Sequence, residues 1–335
     1  MRKAIYLLFV AFILLVGCQE ETQEAVENEE KVIEQEEQKV ENLDDKEQTT
    51  ENESVSLDDF DLPERTKGFF WSGTDGNNQF HFLGTIHIGT EDMYPFEEEI
   101  ESALETSDFL LLEKDFSSEE AKNLREEYSF YPTGETLEDH MPEGVIDSVR
   151  EYSTTARATF NQLNRMKPYA LSNAIFYYEI RKKGLSGEYS VENYLTEKKP
   201  QDTKIIGLEG QESYELVYNQ SDDYNAYMLE KFFNNLDEQI NQSVKALAGY
   251  RLGDESMLTS INRTVDTDDE SQKYEQMYID NIMVKRDRIM ADRIAELSNE
   301  HSGKTFFVAI GTAHFFNEGN VLELLEDEGF EIERK

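Results

Sequence analysis

Two stretches of the chain share one order of apolar and polar residues. In each, an apolar run ends at Gly-Thr and a histidine follows: FLGTIH at residues 82–87 and AIGTAH at residues 309–314. A helical pattern, which begins near Pro95 in the first case, then leads to a second apolar run, FLLLE at residues 109–113 or FEIER at residues 330–334. Because strand–helix–strand units join parallel strands, each end of the chain predicts a βαβ unit, and the first unit predicts a parallel pair.

The pattern between these ends completes a predicted fold. Residues 68–84 are typical of two strands around the turn Asp75-Gly76-Asn77. Residues 118–200 have a helical pattern, residues 203–209 form a short apolar run ending in a glutamate, and two long helical stretches follow. We therefore predict an α/β fold: a central mixed, largely parallel sheet flanked by helices. The terminal βαβ units would be related as an internal repeat, and the central helices would form a cap.

The first 18 residues differ from the rest of the chain. Arg2 and Lys3 precede an apolar run from Ala4 to Val16, which has the length of a signal-peptide core and is short for a membrane span. The only cysteine, Cys18, ends this segment in LVGC, which resembles the lipoprotein box of bacteria. We predict that residues 1–18 are a lipoprotein signal peptide and that Cys18 is acylated, because no second cysteine exists for a disulfide bond.

Composition and charge divide the remainder. Residues 19–63 consist mainly of Glu, Asp, Gln, Asn, Thr and Ser, with almost no aromatic residues. Such a segment buries too little apolar surface to offset its ordering entropy, so we predict an acidic disordered tether. Residues 64–335 would then form the folded domain. The net charge of -40 excludes nucleic acid as a partner, because phosphate binding needs clusters of Lys and Arg.

Four side chains at predicted strand ends are candidates for chemistry. His87 and His314 follow the two Gly-Thr pairs, and Glu113 and Glu209 end two other apolar runs. The carboxyl ends of parallel strands form the usual ligand edge of an open α/β sheet, so these side chains are expected to converge. Imidazole and carboxylate suit manganese, cobalt, zinc or iron, with either glutamate as ligand or as general base. The same groups could also work without metal, as a base and its orienting partner, or could merely cap their strands. The other histidines are expected to be structural or solvated: His81, His140 and His301.

These residues belong to a longer set of motifs that resembles the TraB/GumN family, which includes the Tiki metalloproteases. The motifs are FLGTIHIGTEDMYPF, LLLEKD, LEDHM, MKPYAL, IIGLEG, VKRDRIMADRI and FVAIGTAHFFNEGNVLELLEDEGFEIER, and together they extend over residues 66–335. The resemblance implies a fold similar to that of erythromycin esterases and haem-binding lipoproteins. It also implies a membrane-anchored metalloprotease that uses manganese or cobalt outside the cell, with His87, His314 and Glu113 at its site. Arg286 is expected to pair with a site carboxylate or to hold a substrate carboxylate.

The chain departs from the family pattern in two segments, and neither departure removes an expected ligand. Phe315 and Phe316 follow the second histidine where members often have glycine, and Asp287 follows Arg286 where members often have asparagine. The sequence thus predicts a lipid-anchored hydrolase on the extracytoplasmic face of the bacterial membrane, a divalent-metal-dependent peptidase acting on peptides or proteins. The alternative is a non-catalytic binding protein that captures haem, a peptide signal or another ligand at the same sheet edge, because one fold supports several functions.

Overall fold

The structure is a computed structural model that describes residues 54–115, 118–156, 158–258, 270–316 and 318–335. The predicted signal peptide, Cys18 and most of the predicted tether lie outside these residues. Within the described part of the chain, no helix combines the length and the apolar character needed to cross a bilayer.

A six-stranded sheet forms the centre of the fold, in the order β4-β3-β5-β2-β1-β6. Its strands are β1 (Phe70–Thr74), β2 (Gln79–Thr85), β3 (Phe109–Leu112), β4 (Lys204–Gly207), β5 (Thr305–Gly311) and β6 (Glu331–Arg334). Strands β4, β3, β5 and β2 pair in parallel, while β1 is antiparallel to both β2 and β6. The predicted α/β class with a mixed, largely parallel sheet is therefore confirmed, whereas the internal repeat stays an interpretation.

Strand β5 lies between β2 and β3. The expected parallel pairing of β2 with β3 is therefore wrong: both strands run in the same direction, but each pairs with β5. Thr85 of β2 is opposite Gly311 of β5, and Leu112 of β3 is opposite Ala309. As a result, both Gly-Thr-x-His segments leave the same edge of the sheet, with the end of β3 on the other side of β5.

Burial explains why β5 reads as a continuous apolar run. Residues 306–310 are completely buried, because parallel strands in the middle of such a sheet are covered on both faces. Helices supply this cover. They are α1 (Glu98–Glu105), α2 (Glu119–Ser129), α3 (Glu143–Thr155), α4 (Phe160–Leu163), α5 (Pro168–Lys182), α6 (Val191–Lys198), α7 (Gln211–Tyr218), α8 (Asp222–Asn234), α9 (Leu236–Leu252), α10 (Glu270–Ile279), α11 (Lys285–Glu300) and α12 (Val321–Asp327).

Two local differences from the sequence prediction have clear causes. Helix α1 begins at Glu98 rather than near Pro95, because the carbonyl of Pro95 accepts a hydrogen bond from the Thr66 amide and the Glu97 amide donates to the Thr66 carbonyl. These bonds hold the chain extended before the helix. Helices α10 and α11 are joined by a π-helical turn, Asp280–Val284, which the apolar periodicity did not indicate.

The end of the predicted tether lies against the folded body. The amide of Val55 donates to Asn241 Oδ1 at 3.2 Å, and the carbonyl of Pro63 accepts from Arg251 Nη2 at 3.2 Å. Val55 and Leu57 also pack on the hydrophobic core. Residues 55–63 therefore contribute contacts to the body.

Candidate active site

His87 lies in the loop that follows β2. Its Nδ1 is 2.7 Å from Oε1 of Glu192, which lies in the first turn of α6. The same oxygen accepts a hydrogen bond from the Thr85 hydroxyl. Burial lowers the pKa of His87, but Glu192 and, more weakly, Glu113 raise it, and the net pKa is raised. Thr85, the threonine of the first motif, thus fixes the Glu192 carboxylate, which in turn orients His87.

His314 lies in a short 3-10 helical turn, Thr312–Phe315, directly after β5. Its Nδ1 is hydrogen-bonded to Oδ1 of Asp287, and its Nε2 lies 3.8 Å from Oε1 of Glu113. Phe315, the residue after His314, packs against Trp71 at a ring distance of 5.1 Å. The aromatic residue therefore anchors the turn that carries His314.

The space above Gly311 is the point at which these side chains converge. A methyl group placed on Gly311 would lie 2.9 Å from Glu113 Oε1, 3.5 Å from His314 Cδ2 and 3.8 Å from His87 Nε2. His314 Cδ2 and His87 Nε2 are therefore at most about 7 Å apart, and both imidazoles border the same space above Gly311. Glycine is needed here because any side chain would fill this space.

Glu113, the residue after β3, is fixed at the centre of a cluster of charged and imidazole side chains. The members of this cluster are His87, Glu113, Lys114, Glu192, Glu209, Arg286, Asp287 and His314. Its Oε1 accepts a hydrogen bond from the Gly311 amide at 2.6 Å, and its Oε2 accepts one from Arg286 Nη2 at 2.7 Å. Burial raises the pKa of the carboxyl group, but the charge of Arg286, followed by those of His314 and His87, lowers it to about 2. Glu113 is therefore a carboxylate at any ordinary pH.

Glu209, which follows β4, contacts basic side chains rather than the imidazoles. Arg286 donates to it twice, from Nε to Oε1 at 2.5 Å and from Nη2 to Oε2 at 3.2 Å. Lys114 Nζ lies 3.5 Å from Glu209 Oε2 and 4.0 Å from the ring centre of Tyr214. Burial lowers the pKa of Lys114 to about 8, although Glu209 opposes this effect. The structure thus places Arg286 between the two glutamates predicted from the strand ends.

The π-helical turn positions Arg286. Its Nη1 donates to the carbonyl of Ile282 in that turn at 3.1 Å, while the rest of the guanidinium faces Glu113 and Glu209. Desolvation opposes the charge of Arg286, but these two carboxylates raise its pKa above the ordinary value. Short π-helical turns are often found at functional sites, where they redirect side chains.

Exposure differs across the cluster. The side chains of His87 and Glu192 are 12% and 17% exposed, whereas those of Arg286 and Glu209 are 2% and 0% exposed. His314 is intermediate at 5%. The cluster is therefore open to solvent beside His87 and closed on the side of Glu209.

The donor set of this cluster fits a divalent cation. Among the described residues, no group of three or more His, Cys, Asp or Glu side chains is arranged as a complete metal site. However, two ligands of one ion lie about 3–3.5 Å apart, and His314 Nε2 and Glu113 Oε1 are close to this at 3.8 Å. If both imidazoles are neutral, the charged side chains of the cluster are four carboxylates and two cations. The net charge of these side chains is then -2, which a divalent ion would offset. These groups are Glu113, Glu192, Glu209 and Asp287 against Lys114 and Arg286.

The remaining histidines lie elsewhere. His81 is 3.2 Å from Ser72 Oγ and stacks on Phe70, and His301 ends α11 with its ring against Phe109. His140 stacks on the partly buried ring of Tyr131. Among the described residues, none of these three rings forms a hydrogen bond or an ion pair with the side chains around Gly311.

Three residues of the cluster were missed by sequence reasoning. Lys114 follows Glu113 in the motif LLLEKD. Because lysine is rarely buried without a partner, its position directly after a buried strand could have indicated a site residue. Asp287 was noted as a departure from the family pattern but was given no role. Glu192 lies between the apolar residues Val191 and Leu195 on a helix without a motif, so only the three-dimensional structure identifies it.

A profile of the TraB/PrgY/gumN family matches residues 69–334, and this range includes every member of the cluster. The chain belongs to this family. The sequence resemblance to TraB/GumN proteins is thereby confirmed.

Relatives include proteins with and without an assigned activity. Uncharacterized protein YbaP of Escherichia coli (strain K12) is 24% identical over 268 residues, which cover 78% of this chain and 94% of that protein. A Metalloprotease TIKI homolog of Amphimedon queenslandica is 23% identical over 330 residues, covering 82% of this chain and 64% of that protein. Metalloprotease TIKI1 of Danio rerio is 33% identical over 63 residues, covering 19% and 13%, respectively. No solved structure matches the chain.

Proposed function

We propose that this protein is a lipid-anchored extracytoplasmic hydrolase that cleaves peptide or protein substrates with the help of a divalent metal ion. One observation supports the proposal most strongly: His87, His314 and Glu113, from three strand ends, approach the same space above Gly311. The names of the TIKI relatives favour a peptidase over other hydrolases. Manganese or cobalt is the ion that the family resemblance favours, and zinc or iron would accept the same donors.

In this proposal, His87, His314 and Glu113 hold the ion. When bound, the ion supplies Lewis-acid chemistry, which polarises the scissile carbonyl and makes water a better nucleophile near neutral pH. Glu113 suits the role of ligand better than that of general base, because a carboxyl group with a pKa of about 2 accepts protons poorly at neutral pH. Its Oε1 faces both imidazoles, while its Oε2 is held by Arg286.

Arg286 and Glu209 act behind the ligands in this proposal. The guanidinium fork bonds Glu209 with two donors and Glu113 with one, so it fixes the direction of the Glu113 carboxylate. Since both partners are buried, Arg286 is committed to site carboxylates rather than to a substrate carboxylate. Lys114 adds a second positive charge beside Glu209 and reduces the cost of burying that carboxylate.

The exposed side of the cluster defines where substrate would approach. His87 and Glu192 retain solvent contact, while Glu209 and Arg286 are sealed below them. A peptide would therefore bind across the His87 side of the sheet edge. The placement of the whole domain at the outer face of the cell membrane is a proposal from the sequence, where Cys18 follows a signal-like segment.

The test is cleavage of a peptide library by the full-length protein, followed by mass spectrometry, with manganese or cobalt added and with a chelator in a parallel reaction. The expected result is metal-dependent cleavage that His87→Ala and His314→Ala each abolish. The double variant should be no worse than either single variant, because either loss disrupts the same site. His140→Ala is the matched control, since this partly buried histidine lies outside the cluster.

The alternative is a binding protein that uses the same sheet edge for haem, a peptide signal or another ligand. A protein that binds metal and peptides but cleaves no member of a diverse library would favour this alternative. Cleavage that persists in the two histidine variants would contradict both readings of the site.

A further inference from the structure

Each imidazole of the cluster has a carboxylate partner at Nδ1. His87 Nδ1 faces Glu192 at 2.7 Å, and His314 Nδ1 is hydrogen-bonded to Asp287. We propose that Glu192 and Asp287 are positioning residues that keep the proton on Nδ1 and so direct the Nε2 lone pair of each ring toward the space above Gly311. The inference rests on the proposed metal-dependent function and adds two residues that the sequence motifs did not assign.

The arrangement at His87 depends on the start of helix α6. The Ser190 hydroxyl oxygen accepts a hydrogen bond from the Asn193 amide and caps this helix, and the Val191 amide donates to the carbonyl of Ile86 at 3.2 Å. Glu192 is therefore presented in the first turn, where a carboxylate is also stabilised by the helix dipole. This docking ties the helical layer to the loop that carries His87.

The charge of Glu192 requires an explanation beyond packing. Its Oε1 is bonded by His87 and Thr85, but its Oε2 is buried and has no hydrogen-bond partner among the described residues. A neutral amide oxygen could also accept the Nδ1 proton of His87 and would avoid burying a charge, so the hydrogen bond to His87 does not by itself require a carboxylate. A negative charge beside the imidazole is favoured if the ring must become a stronger ligand for a cation.

Asp287 gives His314 the same kind of partner from another element. It follows Arg286 directly on α11, and successive helical residues point in directions about 100° apart. The first turn of α11 therefore places Arg286 against Glu113 and Asp287 against His314. The Asp287 side chain is completely buried, so its carboxylate is held directly against the imidazole that it orients.

The experiment uses the full-length protein and its Glu192→Ala, Glu192→Gln and Asp287→Asn variants. In the metal-free state at alkaline pH, ¹H–¹⁵N correlation spectra of the histidine rings report which nitrogen carries the proton. We expect the Nδ1–H form for His87 and His314 in the wild type. In Glu192→Ala, His87 should no longer favour the Nδ1–H tautomer, while His314 should be unchanged. In Glu192→Gln, which keeps a hydrogen-bond acceptor, His87 should retain the Nδ1–H tautomer.

Cobalt affinity supplies the second readout. Each loss of a carboxylate partner should weaken cobalt binding by about 10- to 100-fold, with Glu192→Gln affected less than Glu192→Ala. Glu197→Gln on α6 and Asp292→Asn on α11 are matched controls, because both side chains are exposed.

The inference would be overturned if the Glu192 and Asp287 variants had the same histidine tautomers and the same cobalt affinities as the control variants. If Glu192→Ala fails to fold, the cobalt affinities of Glu192→Gln and Asp287→Asn provide the test. If the wild type binds no cobalt, the proposed function fails, and the ring tautomers alone then decide whether Glu192 and Asp287 act as positioning residues.

Discussion

Replacing Arg286 by methionine should destabilise the protein strongly. The side chain is 2% exposed, and its guanidinium joins Glu113 and Glu209 through three hydrogen bonds. Methionine fills much of the same volume but leaves two buried carboxylates without their main cation. Breaking one partner of a buried ion pair is costly because the remaining charge stays desolvated.

Two figures agree on the size of this effect. Loss of one member of a buried ion pair costs about 3–5 kcal/mol in the free energy of unfolding. Independently, a Glu113 pKa of about 2 instead of 4.5 corresponds to about 3 kcal/mol of stability at neutral pH, and Arg286 is the main charge that lowers it. For a domain of this size, the loss should lower the melting temperature by about 6–20 °C.

The dependence on pH has a defined sign. Because the pKa of Glu113 is lower in the folded state, its contribution is complete above pH 4.5 and is lost as the pH falls toward 2. The difference in stability between the wild type and Arg286→Met should therefore be largest near neutral pH and should shrink across this acidic range.

Thermal unfolding followed by circular dichroism, at several pH values, measures both effects. The matched control is Arg288→Met on the same helix, since Arg288 is 54% exposed and its pair with Asp292 spans 3.9 Å. Exposed pairs contribute about 0–1 kcal/mol, so this variant should melt close to the wild type. Equal melting temperatures for the Arg286 and Arg288 variants would refute the buried network as a source of stability.

Three further predictions concern lipid, tether and site. Cys18→Ser should abolish metabolic labelling with a fatty acid, and equal labelling of the variant and the wild type would exclude acylation at Cys18. Deleting residues 19–53 should leave the melting temperature unchanged, whereas deleting residues 54–63 as well should lower it, because the buried Arg251 side chain then loses the Pro63 carbonyl as a hydrogen-bond acceptor. Gly311→Ala should weaken cobalt binding in a titration, because the new methyl group would lie 2.9 Å from Glu113 Oε1; unchanged affinity would place the ion elsewhere.

Sequence reasoning anticipated the residues that follow strands. His87, His314, Glu113 and Glu209 each come directly after an apolar run, and parallel strands bring such positions to one edge of a sheet. Local patterns are sufficient for this part of the fold because strand ends and turns are encoded by neighbouring residues.

The remaining features depend on contacts between distant parts of the chain. The pairing of β2 with β5 joins residues more than two hundred positions apart, as in Leu83 with Ala309, and no local pattern encodes it. Glu192 illustrates the same limit for the site. It lies on an ordinary amphipathic helix, and its partner His87 is more than one hundred positions earlier in the chain.

A cobalt titration of the wild type, His87→Ala and His314→Ala, followed by visible absorption, tests the shared metal site most directly. The wild type should bind one cobalt ion per chain and show ligand-field bands, and each histidine variant should lose the bands while its circular dichroism spectrum stays native. His140→Ala should bind cobalt as the wild type does. Unchanged bands in both variants, or no binding by the wild type, would contradict a metal centre built from the two Gly-Thr-x-His motifs.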